Sequence, residues 1–339
     1  MRTRVSRLTP SMRPRAQAER EESSKARNRL HTSAPFHLEA TVRVLQRRPA
    51  SKLDIWERGR YLRAFVSGEG LALVEVENRG TICQPDVRFA IRAGNRAQAT
   101  RLGVRHSLHR VLGLDVDPQP FFRLAAAEPT LRSPAYALRG MRPPRFAGLF
   151  ETFANVVPFQ QLSLEAGVTI VGNLIERFGE SLQYDRRRFH AFPTARTIAN
   201  ARVSALRGCG LSVRKAETLR HLGWLIESGE LNETHIEGMT TKDALRILLD
   251  LPGIGPWSAG LVLLRGFGRL EVFPPGDVGA TRMLSTLTQM TPGAPLDRLI
   301  DRFGELRGYL YFYGLARNLM EKGLIQSVCR IGIASRSAS

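Results

Sequence analysis

The stretch Leu251-Pro252-Gly253-Ile254-Gly255-Pro256 constrains this chain more than any other. Upstream, TKDALRILLDL places Leu245, Leu248 and Leu249 on one side of a helix, with Thr241 positioned to cap its start. Downstream, PWSAGLVLLRGF reads as a second helix with Pro256 in its first turn, where a missing N–H is harmless. One glycine or one proline suffices to turn such a corner. Two glycines around Ile254, which would plug inward, suggest a backbone that bends and is also closely approached. The free N–H groups at the second helix's start would point outward with the positive end of the dipole, forming an anion site. Helix corners also use glycine for steric reasons alone, and the motif by itself leaves both readings open.

Charge names the anion. The chain has 339 residues with 50 Lys/Arg against 31 Asp/Glu, a formal net charge of +19. Proteins this basic usually meet a polyanion, nucleic acid first. Lysines are few (Lys25, Lys52, Lys215, Lys242 and Lys322), so arginine has replaced lysine nearly everywhere and no single arginine stands out. No run of about 18 apolar residues exists, so no membrane span is expected. Cys83, Cys209 and Cys329 fit no C-x-x-C pattern and no disulfide framework, and read as free thiols in a reducing compartment. An iron–sulfur cluster needs about four close cysteines, so the chain cannot hold one alone. The histidines show no ligand spacing beyond His106 and His109, which read as surface imidazoles.

The order of patterns suggests an α+β fold. Residues 1–34 carry nine Lys/Arg and three Glu without apolar periodicity, and read as a disordered basic arm. A transit peptide is the alternative; Glu19, Glu21 and Glu22 argue against it. Residues 35–112 read as a β-rich domain. HLEATVRVL alternates, YLRAFV and LALVEVE are separated by a glycine-bearing turn, and Asn78-Arg79-Gly80 precedes TICQPDVRFAI. The stretch AQATRLGVRHSLHRVLGL then has helical spacing. Residues 113–330 read as an all-α domain of short helices broken by proline and glycine, with the paired helices at 241–267.

Beyond the pair lies RLEVFPPGDVGATRML. Asp277 follows a proline-bounded loop and precedes another helical pattern, so it is a natural N-cap. Capping alone would explain it. A carboxylate facing a groove at a helix start could also stabilise a developing sugar cation.

LLDLPGIGPWSAGLVLLRGFGRLEVFPPGD resembles the helix–hairpin–helix, Gly/Pro-rich loop and Asp signature of the helix–hairpin–helix (HhH-GPD) DNA glycosylases, and within them the 3-methyladenine DNA glycosylase II branch. FETFANVVPFQQLSLEAG, FPTARTIANA, LRGCGLSVRKAETLRHLG and FGELRGYLYFYGL resemble other parts of that family in order, so the likeness covers roughly 36–325. It implies a small N-terminal TBP-like sheet followed by a helical glycosylase domain. It assigns Asp277 as the catalytic carboxylate. Gly253, Ile254, Gly255 and Ser258 become DNA-backbone contacts, with a monovalent cation on the hairpin carbonyls and no other metal or cofactor. Gln161 or Leu162 becomes the wedge that fills the space of a flipped nucleotide; a helix start packing inward is the alternative. Relatives that also cut the strand carry a lysine nucleophile where Trp257 stands, so this chain is expected to be monofunctional and to use water. Trp257, Tyr309, Tyr311 and Tyr313 are candidate pocket aromatics, although tyrosines two apart do not share a helix face. Plain core packing is the other reading of Trp257. Leu261 and Leu315 depart from the family by standing where further aromatics are expected.

The implied activity is hydrolysis of the N-glycosidic bond of alkylated purines (3-methyladenine, 7-methylguanine type) in double-stranded DNA, leaving an abasic site for base excision repair. The expected state is a monomer away from membranes, in the cytoplasm of a bacterium or the nucleus or mitochondrion of a eukaryote. Two other functions stay open: a glycosylase for oxidised or deaminated purines, and a DNA-binding module that kept the hairpin but lost catalysis.

Overall fold

Leu30 has an apolar side chain that must be buried, and this pulls the end of the expected basic arm into a sheet. In the computed structural model, which describes residues 28–67 and 70–326, Arg29–Leu30 forms edge strand β1, antiparallel to Val87 and Arg88. The rest of the arm, 1–27, lies outside the described residues. Strands β2 (Ile55–Glu57), β3 (Arg60–Ser67), β4 (Gly70–Asn78) and β5 (Val87–Gly94) complete a five-stranded antiparallel sheet in the order β1-β5-β4-β3-β2. Arg58 and Gly59, both at positive φ, turn the β2–β3 hairpin. TICQPD is loop rather than strand. Asn78 Oδ1 accepts from the N–H of Gly80 at 3.1 Å and of Asp86 at 2.9 Å and closes it.

HLEATVRVL, read as a strand, is helix α1 (Leu38–Gln46). His37 Nδ1 accepts from the Ala40 N–H at 3.3 Å and caps it. Seven of its nine residues are buried, so no exposed face betrays the period. Its β-branched Thr41, Val42 and Val44 imitate a strand.

The sheet buries both faces. Tyr61, Phe65, Val74 and Val76 meet α2 (Gln98–Val111) through Val104 and Leu108. Leu62, Ala64 and Leu73, the alternate residues, meet Phe189 and Ala191. The latter two come from a hairpin of β6 (Ser181–Tyr184) and β7 (Arg187–His190) and the residue beyond it, which departs from the all-α expectation for 113–330.

The remaining helices are α3 (Gln119–Ala127), α4 (Pro129–Ala137), α5 (Leu149–Ala154), α6 (Leu164–Phe178), α7 (Ala195–Ala199), α8 (Val203–Arg207), α9 (Val213–Ser228), α10 (Glu233–Glu237), α11 (Thr241–Asp250), α12 (Pro256–Leu261), α13 (Val278–Thr288), α14 (Ala294–Arg302) and α15 (Arg307–Glu321). Helix α15 runs through their common core, with Tyr309, Leu310 and Phe312 fully buried. Each such side chain is worth about 1.5–3 kcal/mol of burial. Sheet and helices are also tied by charge. Arg63, 2% exposed, donates to Asp54 on one side at 2.9 Å and to Glu151 of α5 on the other. Tyr61 Oη donates to the same Asp54 at 2.7 Å. Removing one partner would leave a buried charge unpaired, a cost of about 3–5 kcal/mol.

Candidate active site

Helix α11 starts one residue earlier than its expected cap implies. Thr240 Oγ1, not Thr241, accepts from the Asp243 N–H at 3.2 Å. Ala244 and Leu248 are buried, whereas Leu249 is exposed and faces a cleft. The link to α12 separates the two glycines. Gly253 has φ +81°, and a Cβ there would lie 2.7 Å from Thr218 Oγ1; this glycine turns the corner. Gly255 has φ −97° and ψ −178°, open to any residue, and a Cβ on it would meet nothing within 4 Å. Nothing inside the protein asks for glycine at that place. Ile254 between them is 4% exposed and plugs inward, as expected.

The cleft over this link measures about 1040 Å³. One wall is the loop before α6. Gln160 Nε2 donates to the Gly253 carbonyl at 2.8 Å and to Ser258 Oγ at 2.9 Å. Lys215 of α9 donates from Nζ to the carbonyls of Pro158 at 3.1 Å and Gln160 at 2.7 Å, and burial lowers its pKa. A loop pinned from both sides carries Gln161 at φ +55° and Leu162, 45% exposed, on its outer edge. Leu162 therefore does not pack inward. Ser258 is buried and faces Gln160, so its hydroxyl is spent inside the protein. The hairpin carbonyls of Leu251 and Gly253 each accept one internal bond, which leaves each a second lone pair for a cation.

Asp277, between Gly276 and Val278, which line the cleft, is the N-cap of α13. Its Oδ1 accepts from the Ala280 N–H at 2.8 Å and its Oδ2 from Trp257 Nε1 at 2.9 Å. Trp257 is half-buried, and its ring lines the cleft. The two residues set apart in the sequence reading are thus one hydrogen-bonded unit.

The tyrosines divide. Tyr309 and Tyr313 turn away into the core against Phe121 of α3, with ring centroids at 4.3 and 4.7 Å. Tyr313 Oη donates to the Leu138 carbonyl at 3.3 Å, and burial pushes both phenols up. They are packing residues, which corrects their place among the pocket aromatics. Tyr311, on the opposite side of α15, meets Phe273 edge-on at 6.4 Å. Burial lowers the pKa of Arg47, and the negative charge of Asp277 opposes that shift. Leu261 is buried.

Sequence reasoning missed Gln160 and Lys215. Gln160 stood in the quoted loop, one residue from the expected wedge. Lys215 carried a signal, since lysine is rare here. Among the described residues, no group of His, Cys, Asp and Glu is placed to hold a metal ion, and no helix is long and apolar enough to cross a membrane.

A family model for HhH-GPD superfamily base excision DNA repair proteins matches residues 155–303, which hold the pinned loop, the hairpin and Asp277. A DNA-3-methyladenine glycosylase of Bacillus subtilis is 31% identical over 209 residues, 61% of this chain and 69% of that protein. The DNA-3-methyladenine glycosylase 2 of Escherichia coli is 27% identical over 284 residues, 83% of this chain and 93% of that protein. Among solved structures, a 3-methyladenine DNA glycosylase from Archaeoglobus fulgidus matches with a TM-score of 0.72 at 27% identity, covering 86% of this chain and 98% of that one. With hairpin, loop and carboxylate in this arrangement and these relatives around it, the chain belongs to the HhH-GPD superfamily of base excision DNA repair proteins.

Proposed function

We propose that this protein is a monofunctional DNA glycosylase that hydrolyses the N-glycosidic bond of alkylated purines in duplex DNA. The observation that carries the reading is Asp277, fixed at the edge of the cleft by Trp257 and the start of α13, with no amine at the position of Trp257. Relatives named for 3-methyladenine excision support the substrate class.

The target base lies inside a duplex and must be flipped out, at a cost of a few kcal/mol that is least for damaged pairs. The outward edge at Gln161 and Leu162 suits the filling of the vacated stack. The open backbone at Gly255 and the N–H groups of α12 suit a phosphate, which fixes register without reading sequence. A monovalent cation on the spare hairpin lone pairs would strengthen that contact. N-alkylated purines such as 3-methyladenine carry positive charge and leave readily. The remaining work is to stabilise the oxocarbenium-like sugar and to direct water to it. Asp277 can do both, as an electrostatic partner and as a base. Hydrogen bonds to both oxygens hold it in place before the reaction. Loop, hairpin and carboxylate all come from one chain, which supports action as a monomer.

Chromatography of bases released from methylated DNA tests the reading. Free 3-methyladenine and 7-methylguanine with equimolar abasic sites are expected. Intact DNA after prolonged incubation would leave a binding protein only, and release of oxidised purines alone would move the substrate class.

A further inference from the structure

The hairpin pair has two ends. The closed end, around Gly253 and Gly255, borders the cleft. The open end lies where α11 begins and α12 finishes, and arginines hold it. Helix α12 runs into a π turn, Val262–Gly266, in which the Phe267 N–H reaches back to the Val262 carbonyl at 3.2 Å. Single π turns inside helices gather at functional sites. The last carbonyls of a helix find no partner within it. Here the Arg265 carbonyl accepts from the Phe146 N–H at 2.9 Å. The Gly266 carbonyl accepts from two guanidinium groups, Arg110 Nη2 at 2.8 Å and Arg145 Nε at 2.9 Å.

Two cations on one carbonyl repel each other. Burial, and then the charge of Arg110, lower the Arg145 pKa to about 10. Glu237 of α10 offsets the repulsion, since its Oε1 accepts from Arg110 Nη1 at 3.0 Å and from Arg145 Nη2 at 3.1 Å. Arg269 completes the hold on the α11 side. Its Nη2 donates to the carbonyls of Glu237 at 2.9 Å and Met239 at 2.8 Å, just ahead of the Thr240 cap. Of the three arginines, Arg110 alone comes from the sheet domain, at the end of α2. Its side chain is 9% exposed, and its Nε donates to the Phe146 carbonyl at 2.9 Å. All three of its guanidinium nitrogens are thus spent on the open end of the hairpin pair.

A rod joins this cluster to the cleft. The six residues of α12 and the five of the turn span roughly 15 Å, at about 1.5 Å per residue. Trp257 stands near the cleft end of that rod and holds Asp277. A tilt of about 5° at Gly266 would move the cleft end by about 1 Å, and a shift of about 1 Å can cost roughly a hundredfold in rate. We propose that Arg110 is a positioning residue for excision: from the sheet domain it fixes the far end of the hairpin's second helix, and so sets where Trp257 holds Asp277. The sheet domain thereby takes part in the chemistry from a distance. Arg110 acts only through α12. The proposal rests on the reading of Asp277 as the catalytic carboxylate.

The test is single-turnover release of 7-methylguanine from duplex DNA by wild type, Arg110→Gln, Trp257→Phe and the double variant. Binding to undamaged duplex is the second readout. Arg110→Gln should slow release at least tenfold and leave affinity for undamaged duplex within about twofold of wild type, because the hairpin moves as one body. Arg110→Lys, which keeps charge but loses the planar fork, should lie between; it carries the same cycle if Arg110→Gln does not fold. Unlinked sites far apart add in free energy, so their losses multiply. Here they should not multiply: once the brace is gone, removing the indole N–H should slow release by less than about threefold more. Partial misfolding caused by Arg110→Gln would multiply with the Trp257→Phe loss, so it cannot imitate this coupling. A loss under tenfold in Arg110→Gln, a parallel loss of duplex affinity, or multiplying losses in the double variant each overturn the brace and leave the glycosylase reading standing. Wild type that releases no 7-methylguanine overturns both.

Discussion

Trp257 Nε1 donates to Asp277 Oδ2 at 2.9 Å. The indole thus occupies one oxygen of the carboxylate, while the Ala280 N–H occupies the other at 2.8 Å. Neither oxygen can swing away from the cleft without losing a partner. Trp257 serves as a support for the carboxylate.

Asp277→Asn should keep the cap, because asparagine caps helices as well as aspartate. The amide has one acceptor where the carboxylate has two, and no charge. Base release in single turnover should drop roughly 10²–10³-fold, with thermal stability and affinity for an abasic-analogue duplex near wild type. A loss under tenfold would reduce Asp277 to a cap.

Trp257→Phe should keep most of the ring contact and remove the N–H. Release should slow by about tenfold, equal to about 1.4 kcal/mol, without a change in the salt dependence of binding. Borohydride should trap no covalent enzyme–DNA adduct in wild type, and strands should stay intact until alkali is added. A trapped adduct that disappears when one lysine is replaced would overturn the monofunctional reading.

The two glycines should separate in experiment. Gly253→Ala places a Cβ at φ +81° and 2.7 Å from Thr218 Oγ1. It should lower stability by more than about 1 kcal/mol. Gly255→Ala enters open space at an ordinary backbone conformation and should melt like wild type, yet bind damaged and undamaged duplex more weakly. Its log–log salt slope should be shallower by about 0.9, one phosphate's worth. Equal binding of Gly255→Ala and wild type across a salt series would leave both glycines with a steric role only.

Gln160→Ala cuts the tie between the loop and the hairpin, and Lys215→Met cuts the tie from α9. Both should reduce flipping, read from the fluorescence of 2-aminopurine beside the lesion, more than they reduce affinity for an abasic-analogue duplex. Parallel losses in the two assays would show that the loop merely holds the fold.

His37 gives a pH signature. Burial lowers its pKa from 6.5 to about 4, and its Nδ1 caps α1 in the neutral form. A folded-state value below the unfolded one means that the stabilisation is complete above about 6.5 and is lost as pH falls through about 4. His37→Asn, which keeps a capping acceptor and removes the titration, should flatten the fall in melting temperature over that window. Identical slopes in the two proteins would show that carboxylates account for the whole acid limb.

Much of the site could be read in advance because glycine, proline and N-cap aspartate have few conformational uses, so PGIGP and the PPGD turn announce their geometry. Strands flanked by glycine turns were equally plain. What escaped had a physical reason. Helix α1 is buried nearly all round, so periodicity could not mark it. The choice among Tyr309, Tyr311 and Tyr313 depends on which side of α15 meets Phe121, a tertiary fact. The β6–β7 hairpin, SLQYDRRRFH, is strand-forming only because the sheet offers a surface for Phe189.

That hairpin sets an order of events in synthesis. The sheet ends at Gly94, and the residues that cover its second face, Phe189 and Ala191, follow roughly a hundred residues later. At about 5–20 residues per second, the nascent chain shows Leu62, Ala64 and Leu73 to the surroundings for roughly 5–20 s. A ribosome-bound fragment stopped after Gly94 would therefore carry a bare apolar face and offer a binding surface to chaperones, and only chains extended past Ala191 would hide it.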